Sequence, residues 1–187
     1  MKKVLLVVLA AVLVFALFAC SDQAGQPAEE GDVVAGTNTK METVSCEAFT
    51  CNLPEGWVSL PYEDMFAEEE GAINPNGLYL VKGDPEDEFA ALSCGSLTIT
   101  WSEPGTETLD ISDMYDKVED ASMNIGGRDW EGFTGEIMEG YRNIVLVCDN
   151  DEGLWQVSGN MTGADDASSF DVESEDFLAI LESITKN

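Results

Sequence analysis

The chain has 187 residues, with 37 Asp and Glu against 8 Lys and Arg, no His, and a net charge of −29. So few cations exclude nucleic acid as a partner, because phosphate neutralisation needs basic patches, and they argue against adhesion to an anionic bilayer surface. The lack of His removes Ser-His-Asp and Cys-His catalysis, His-ligated zinc and the ordinary neutral-pH general base.

The N-terminus carries the three parts of a secretory signal. Lys2 and Lys3 precede an unbroken apolar run from Val4 to Leu17, and small Ala19 precedes a candidate cleavage site. The run is shorter than the roughly 20 apolar residues of a membrane-crossing helix. Leu17-Phe18-Ala19-Cys20 resembles a bacterial lipobox, with Phe18 bulkier than the usual small residue at its place. The resemblance implies that a diacylglyceryl group joins the Cys20 thiol, that cleavage falls before it, and that the new α-amine is acylated. Two or more acyl chains, at about 0.8 kcal/mol per buried CH₂, make a lasting anchor. The alternative is a plain signal peptide that happens to end in Cys. Residues 1–19 are thus expected to be the signal and Cys20 the lipidated residue. The mature chain is expected on the extracytoplasmic side of a cell membrane. Losing Lys2 and Lys3 takes its net charge from −29 to about −31.

Residues 20–42 read as the lipidated Cys followed by a flexible acidic linker, rich in Gly, Ala, Gln, Thr, Glu and Asp. A flexible chain of about 20 residues spans roughly 25 Å. Residues 43–187 suit one domain with its own core.

Strand signals dominate the first half of that domain. Glu47 to Leu53 alternates apolar and polar residues, and Pro54-Glu55-Gly56 turns the chain into Trp57 to Leu60. Tyr62 to Gly77 is acidic and irregular, with a short helical turn expected near Met65. Leu78 to Val81 and Ser96 to Trp101 read as strands. Asp110 to Ser122 reads as a helix capped by Asp110, with Ile111, Met114, Tyr115, Val118 and Ala121 as its apolar stripe. Gly126-Gly127 is a turn. Three strands follow, Trp130 to Met138, Arg142 to Cys148 and Leu154 to Met161, joined through Glu139-Gly140 and Asp149 to Gly153. A helix from Glu175 to Thr185, capped by Ser174 or Asp171, closes the chain with Phe177, Leu178, Leu181 and Ile184 facing inward. Hairpin-linked strands with two amphipathic helices argue for an α+β fold, an antiparallel β-sheet flanked by helices.

Four cysteines besides Cys20, namely Cys46, Cys51, Cys94 and Cys148, suggest two disulfides in an exported chain. If Cys46 and Cys51 lie along one extended segment, about 16 Å separates them, beyond the ~7 Å reach of a bridge. Cys51 shares a strand face with Phe49 and Leu53, and Cys148 with Ile144 and Leu146. Cys46 and Cys94 fall on the more polar parity. The expected pairs are therefore Cys51–Cys148 and Cys46–Cys94, with four free thiols as the alternative. No CxxC knuckle supports zinc.

The chain has no P-loop, GxGxxG or GxSxG motif, and no cofactor is expected. Asp149-Asn150-Asp151-Glu152-Gly153 resembles the start of a calcium loop, which makes Asp149 and Asp151 candidate ligands. It lacks the distal bidentate Glu and sits between strands, so an acidic β-turn is the better reading. On the strand Trp130-Glu131-Gly132-Phe133, Trp130 and Phe133 point to opposite faces. One of them needs covering by a helix, a loop or a partner, so both are candidate partner-binding residues.

Several short motifs run in the order of the PsbP-like fold family. These are Phe49-x-Cys51-x-Leu53-Pro54-Glu55-Gly56-Trp57, Leu97-Thr98-Ile99, Gly127-Arg128-Asp129-Trp130, Leu154-Trp155-Gln156-Val157 and Leu181-Glu182-Ser183-Ile184. The region from about Phe49 to Asn187 looks like that superfamily, including LpqN-like bacterial lipoproteins. The resemblance implies an α-β-α sandwich and a role in binding protein partners rather than catalysis. It transfers no functional residue. The expected function is that of a non-catalytic, membrane-anchored lipoprotein binding an extracytoplasmic protein or envelope component. The alternatives are a small-ligand or calcium-binding module and an acid/base enzyme using paired carboxylates.

Overall fold

The computed structural model describes residues 41–187, so the signal segment, Cys20 and the linker as far as residue 40 lie outside the described residues. The domain is mostly β, with 47% of the described residues in strands. No described helix is long and apolar enough to cross a membrane.

The first two strands are β1 (Glu42–Ser45) and β2 (Phe49–Leu53). β2 alternates buried and half-buried residues, so Phe49, Cys51 and Leu53 all enter the core. The Pro54–Gly56 turn leads to β3 (Trp57–Leu60), an ordered loop, then β4 (Gly77–Lys82). A single helical turn, α1 (Glu88–Ala91), is capped by Asp87, whose carboxylate accepts from the Ala90 N–H at 2.8 Å. β5 (Ser96–Ser102) follows. Then come four long strands in a meander: β6 (Asp116–Ile125), β7 (Arg128–Met138), β8 (Tyr141–Asn150) and β9 (Gly153–Asn160). The chain ends in α2 (Glu175–Ser183) and the two-residue β10 (Thr185–Lys186).

These elements form two antiparallel sheets. One has the order β1-β2-β10; the other has the order β3-β4-β5-β9-β8-β7-β6. The inner face of β2 and the apolar stripe of α2 pack on one face of the large sheet. The shared core holds Phe49, Leu80, Ile99, Trp130, Leu146, Trp155, Val157, Phe177, Ile180 and Leu181. Asn52 N–H donates to Ser183 Oγ at 2.8 Å, which ties α2 to β2.

Two expectations are corrected here. The segment Asp110–Ser122 is not a helix. A 3₁₀ turn covers Ser112–Met114, and β6 begins at Asp116. Nor is Asp110 the cap of that turn: Ile111 holds the cap position without a side-chain bond, and the Asp110 carboxylate accepts from the Ser112 N–H at 2.9 Å in a local turn. The apolar residues Ala121, Met123 and Ile125 also fit a period of two, and Gly126 and Gly127, at φ 61° and 75°, form the tight turn that folds β6 onto β7. Two positive-φ residues in succession match the twist of a two-residue hairpin, and the strand pairing overrides the helical stripe. In consequence the α-β-α sandwich does not form. The segment that should have made a second helical layer is the end strand of the sheet. The opposite sheet face carries Tyr79, Thr98, Thr100, Val145, Val147, Gln156 and Ser158, half-buried or exposed. The α+β class with helices on both sides gives way to a predominantly β fold of two antiparallel sheets with a single substantial helix.

Both expected disulfides are also absent. Cys46, Cys51, Cys94 and Cys148 are free thiols, and no pair lies at disulfide distance. The assumption about Cys46 and Cys51 was wrong in its geometry. Val44 pairs with Cys51 and Cys46 N–H donates to Phe49 O at 3.0 Å, so Cys46 stands in the β1–β2 turn just past β1 while Cys51 lies on β2, and the chain reverses between them.

Candidate functional site

The residues singled out from the sequence do not assemble into a site. Trp130 is 0% exposed, within the core, and Phe133 is 8% exposed beneath Tyr115, with ring centroids 5.1 Å apart in an edge-on arrangement. A loop residue covers the second ring, so the Trp130–Phe133 strand presents no aromatic surface. Asp149 and Asp151 are exposed in the β8–β9 hairpin, where Asn150 pairs with Gly153. Three acceptors of this turn, on Asn150 and Glu152, already serve the fold. Glu152 O accepts from Trp101 Nε1 at 2.9 Å and from Lys186 Nζ at 2.8 Å, Asn150 Oδ1 from the Glu152 N–H, and Glu152 Oε2 from Arg128 Nη2 at 2.9 Å. Among the described residues there is no cluster of three His, Cys, Asp or Glu arranged for a metal ion.

The Trp residues serve the core. Trp101, Trp155 and Cys148 lie opposite one another across β5, β9 and β8. Lys186 stands over the Trp101 ring at 4.1 Å and Arg128 over Trp155 at 5.1 Å. Such cation–π contacts contribute about 0.5–2 kcal/mol each, and they engage two of the few cations on structural duty. Lys82 is bound to Asp176 and Lys117 to Glu136.

What the structure brings together is elsewhere, between the ends of the two sheets. A groove of about 550 Å³ is walled on one side by Ser45, Cys46 and Glu47 at the tip of the β1–β2 hairpin. Ser59 and Leu60 of β3 form the other side, with Pro61, Tyr62, Ile73, Asn74 and Pro75 above and Gly77 and Leu78 below. The groove is open to solvent, and its lining mixes apolar Leu60, Pro61, Ile73, Pro75 and Leu78 with polar Ser45, Glu47, Ser59 and Asn74.

The walls are fixed by the backbone. Ala48 N–H donates to Pro75 O at 3.1 Å, and Asn187 Nδ2 donates to Cys46 O and Glu47 O at 3.1 Å each. Asn76 O accepts from Trp101 N–H at 2.9 Å, holding the far end of the loop on β5. Gly77 makes room for Tyr62: a Cβ on Gly77 would lie 2.5 Å from Tyr62 Cε1. Half-burial pushes the Tyr62 hydroxyl up, with a smaller push from Asp64.

Residues 61–76 form an arm over the groove, and their sequence reads as irregular because their order comes from isolated hydrogen bonds. Glu63 pairs with Ile73 as a single β-bridge. Asp64 N–H donates to Ala72 O at 2.7 Å, Asn74 N–H to Tyr62 O at 2.8 Å, and Phe66 N–H to Asp64 Oδ1 at 2.9 Å. This braced arm holds Phe66 at 84% exposure, Met65 at 77% and Ile73 at 56%. Glu63, Glu68, Glu69 and Glu70 of the same arm are all exposed. The only signal in the sequence was Met65-Phe66 inside an acidic segment.

The groove has no nucleophile with an adjacent base. Cys46 Sγ lies near Phe49 O at 3.7 Å, and the nearby Cys51 thiol is pushed up to about 12, mainly by burial and further by Cys46. The arrangement suits binding through apolar contact beside the Glu47 carboxylate.

No protein-family model matches the sequence, and no characterised protein matches it either.

Proposed function

We propose that the protein is a lipid-anchored extracytoplasmic lipoprotein whose acidic β domain binds a protein partner through the groove and the arm above it, without catalysis. The anchor is read from Lys2-Lys3, the apolar run to Leu17, and Cys20. The observation that carries the binding reading is the exposure of Phe66 and Met65 on a hydrogen-bonded arm. A side chain of that size contributes about 1.5–3 kcal/mol when buried. An ordered arm that holds two of them in water beside an apolar groove matches the anchors of an interaction surface.

The test has two parts. In membrane fractions, the native chain sediments with the membrane, whereas Cys20→Ser is released and stays folded. A Cys20→Ser protein that remains membrane-bound contradicts the lipid anchor. With a photoreactive phenylalanine analogue at position 66, crosslinking on intact cells yields one discrete adduct that is missing when the analogue stands at Asn124. Equal adducts from both positions contradict the binding surface.

A further inference from the structure

We infer that the groove takes an extended, Lys- or Arg-bearing segment of the partner as an added strand on β3. This rests on the binding surface proposed above and names what fills it.

β3 is the end strand of the large sheet, and its last two residues, Ser59 and Leu60, line the groove. Across the groove stands the end of β1, the edge of the other sheet. Two strand edges thus flank one trough. Val58 and Leu60 turn their main-chain groups to β4, which leaves the Ser59 N–H and the Trp57 and Ser59 C=O groups facing outward from β3. Thr43 and Ser45 face outward from β1, and such edges accept an added strand.

The other edge of the large sheet shows what a protected edge looks like here. β6 carries Asp116, Lys117, Glu119 and Asp120, and its pairing shifts register between Asp116 and Glu119, where Lys117 adopts φ 51°. Charges and a bulge are the devices that stop an edge from pairing with other chains. β3, Trp57-Val58-Ser59-Leu60, has neither charge nor bulge, and only Pro61 limits its length. Four residues at about 3.3 Å each leave room for roughly 13 Å of added strand.

Strand addition draws affinity from the main chain and specificity from pockets for alternate side chains. Leu60, Ile73 and Leu78 supply the apolar pocket for one face of the incoming segment. Glu47 in the wall supplies a carboxylate, no cation lines the groove, and the field of a chain with net charge −29 favours a cationic occupant. A net charge of −29 disfavours a second copy of this chain as the occupant.

The test pans a display library of random 12-residue peptides against the full-length protein in detergent. Recovered peptides are then examined by amide hydrogen exchange and a backbone N-methyl scan. The expected peptides alternate apolar residues with Lys or Arg and slow exchange of the Ser59 amide, the β3 N–H that points away from β4, at least tenfold. N-methylation weakens binding at least tenfold at every second position and less than twofold between. Acidic or helical peptides, a scan without alternation, or no peptide above background overturns the inference. So does a dimer whose Ser59 amide is protected without peptide. The adduct from position 66 reads the partner proposal separately. An adduct with a flat scan overturns the added strand alone, and an alternating scan without the adduct overturns the partner.

Discussion

Trp57 Nε1 donates to Asp176 Oδ2 at 2.8 Å, and Lys82 Nζ reaches the same oxygen at 2.7 Å. One carboxylate near the start of α2 thereby holds both β3 and β4, whose Trp57 and Lys82 face each other in register. Burial alone would raise the Asp176 carboxyl. Hydrogen bonds from Lys82, Trp57 and Ser174, together with the Lys82 charge, outweigh it and lower the group from 3.8 to about 2. A depressed carboxylate contributes its stability above its unfolded pKa and loses it as pH falls through the folded value. The window is therefore pH 4 down to pH 2. The full shift corresponds to ~2 kcal/mol, and water at a site 20% exposed screens it to about 1 kcal/mol. Urea unfolding of Asp176→Asn should show that loss at pH 7 and a difference from the native chain that shrinks towards pH 2. A constant difference across the window would contradict the assignment.

Gly77 is required by Tyr62. Its added methyl group would meet the Tyr62 ring at 2.5 and 2.7 Å and Thr100 Cγ2 at 3.2 Å. Gly77→Ala should cost about 1–3 kcal/mol through overpacking and displace the ring that roofs the groove. Tyr62→Ala in the same chain should recover most of the loss. A double-mutant cycle in urea measures the coupling, and additive effects would show that Tyr62 does not press on Gly77.

The thiols should separate by burial. Cys46 and Cys94 are half-buried, whereas Cys51 and Cys148 are 1% and 3% exposed. Burial raises the Cys51 and Cys148 thiols, and burial with a smaller push from Asp165 raises Cys94. Because the thiolate is the reactive form, iodoacetamide at pH 8 should modify Cys46 first in the native protein. Cys51 and Cys148 should react only after unfolding. Peptide mapping by mass spectrometry reads the order, and early labelling of Cys51 would contradict the hairpin geometry.

Phe66→Ala and Met65→Ala should leave stability within about 0.5 kcal/mol, as exposed positions do, while abolishing the partner adduct captured from elsewhere on the arm. A large stability loss in either variant would make the two side chains part of the fold and remove them from the binding surface.

Strands were legible where burial follows sequence parity. Phe49, Cys51 and Leu53 alternate inward as written, as do Ile144, Leu146 and Cys148. α2 was legible from its spacing, although Ile180 joins Phe177 and Leu181 in the core where Leu178 was expected. The stretch from Asp110 to Ser122 was misread because Val118 and Ala121 satisfy a helical repeat locally. Only the pairing of β6 with β7 selects the strand. The groove was invisible because Cys46, the Leu60–Tyr62 stretch and Ile73 are separated in sequence and meet through main-chain hydrogen bonds that carry no side-chain signature.

The amino-acid sequence by itself determined the charge, most strand boundaries, the hairpin at Glu139-Gly140 and the closing helix, because these follow from local periodicity and turn chemistry. Tertiary structure alone decided which sheet edges stay free, that the chain turns back between Cys46 and Cys51 so that Cys46 meets Phe49 and Cys51 meets Val44, and that Phe66 stands in water while Phe133 is covered. Each of those depends on which distant segments pair, and pairing is settled by the packing of the whole chain.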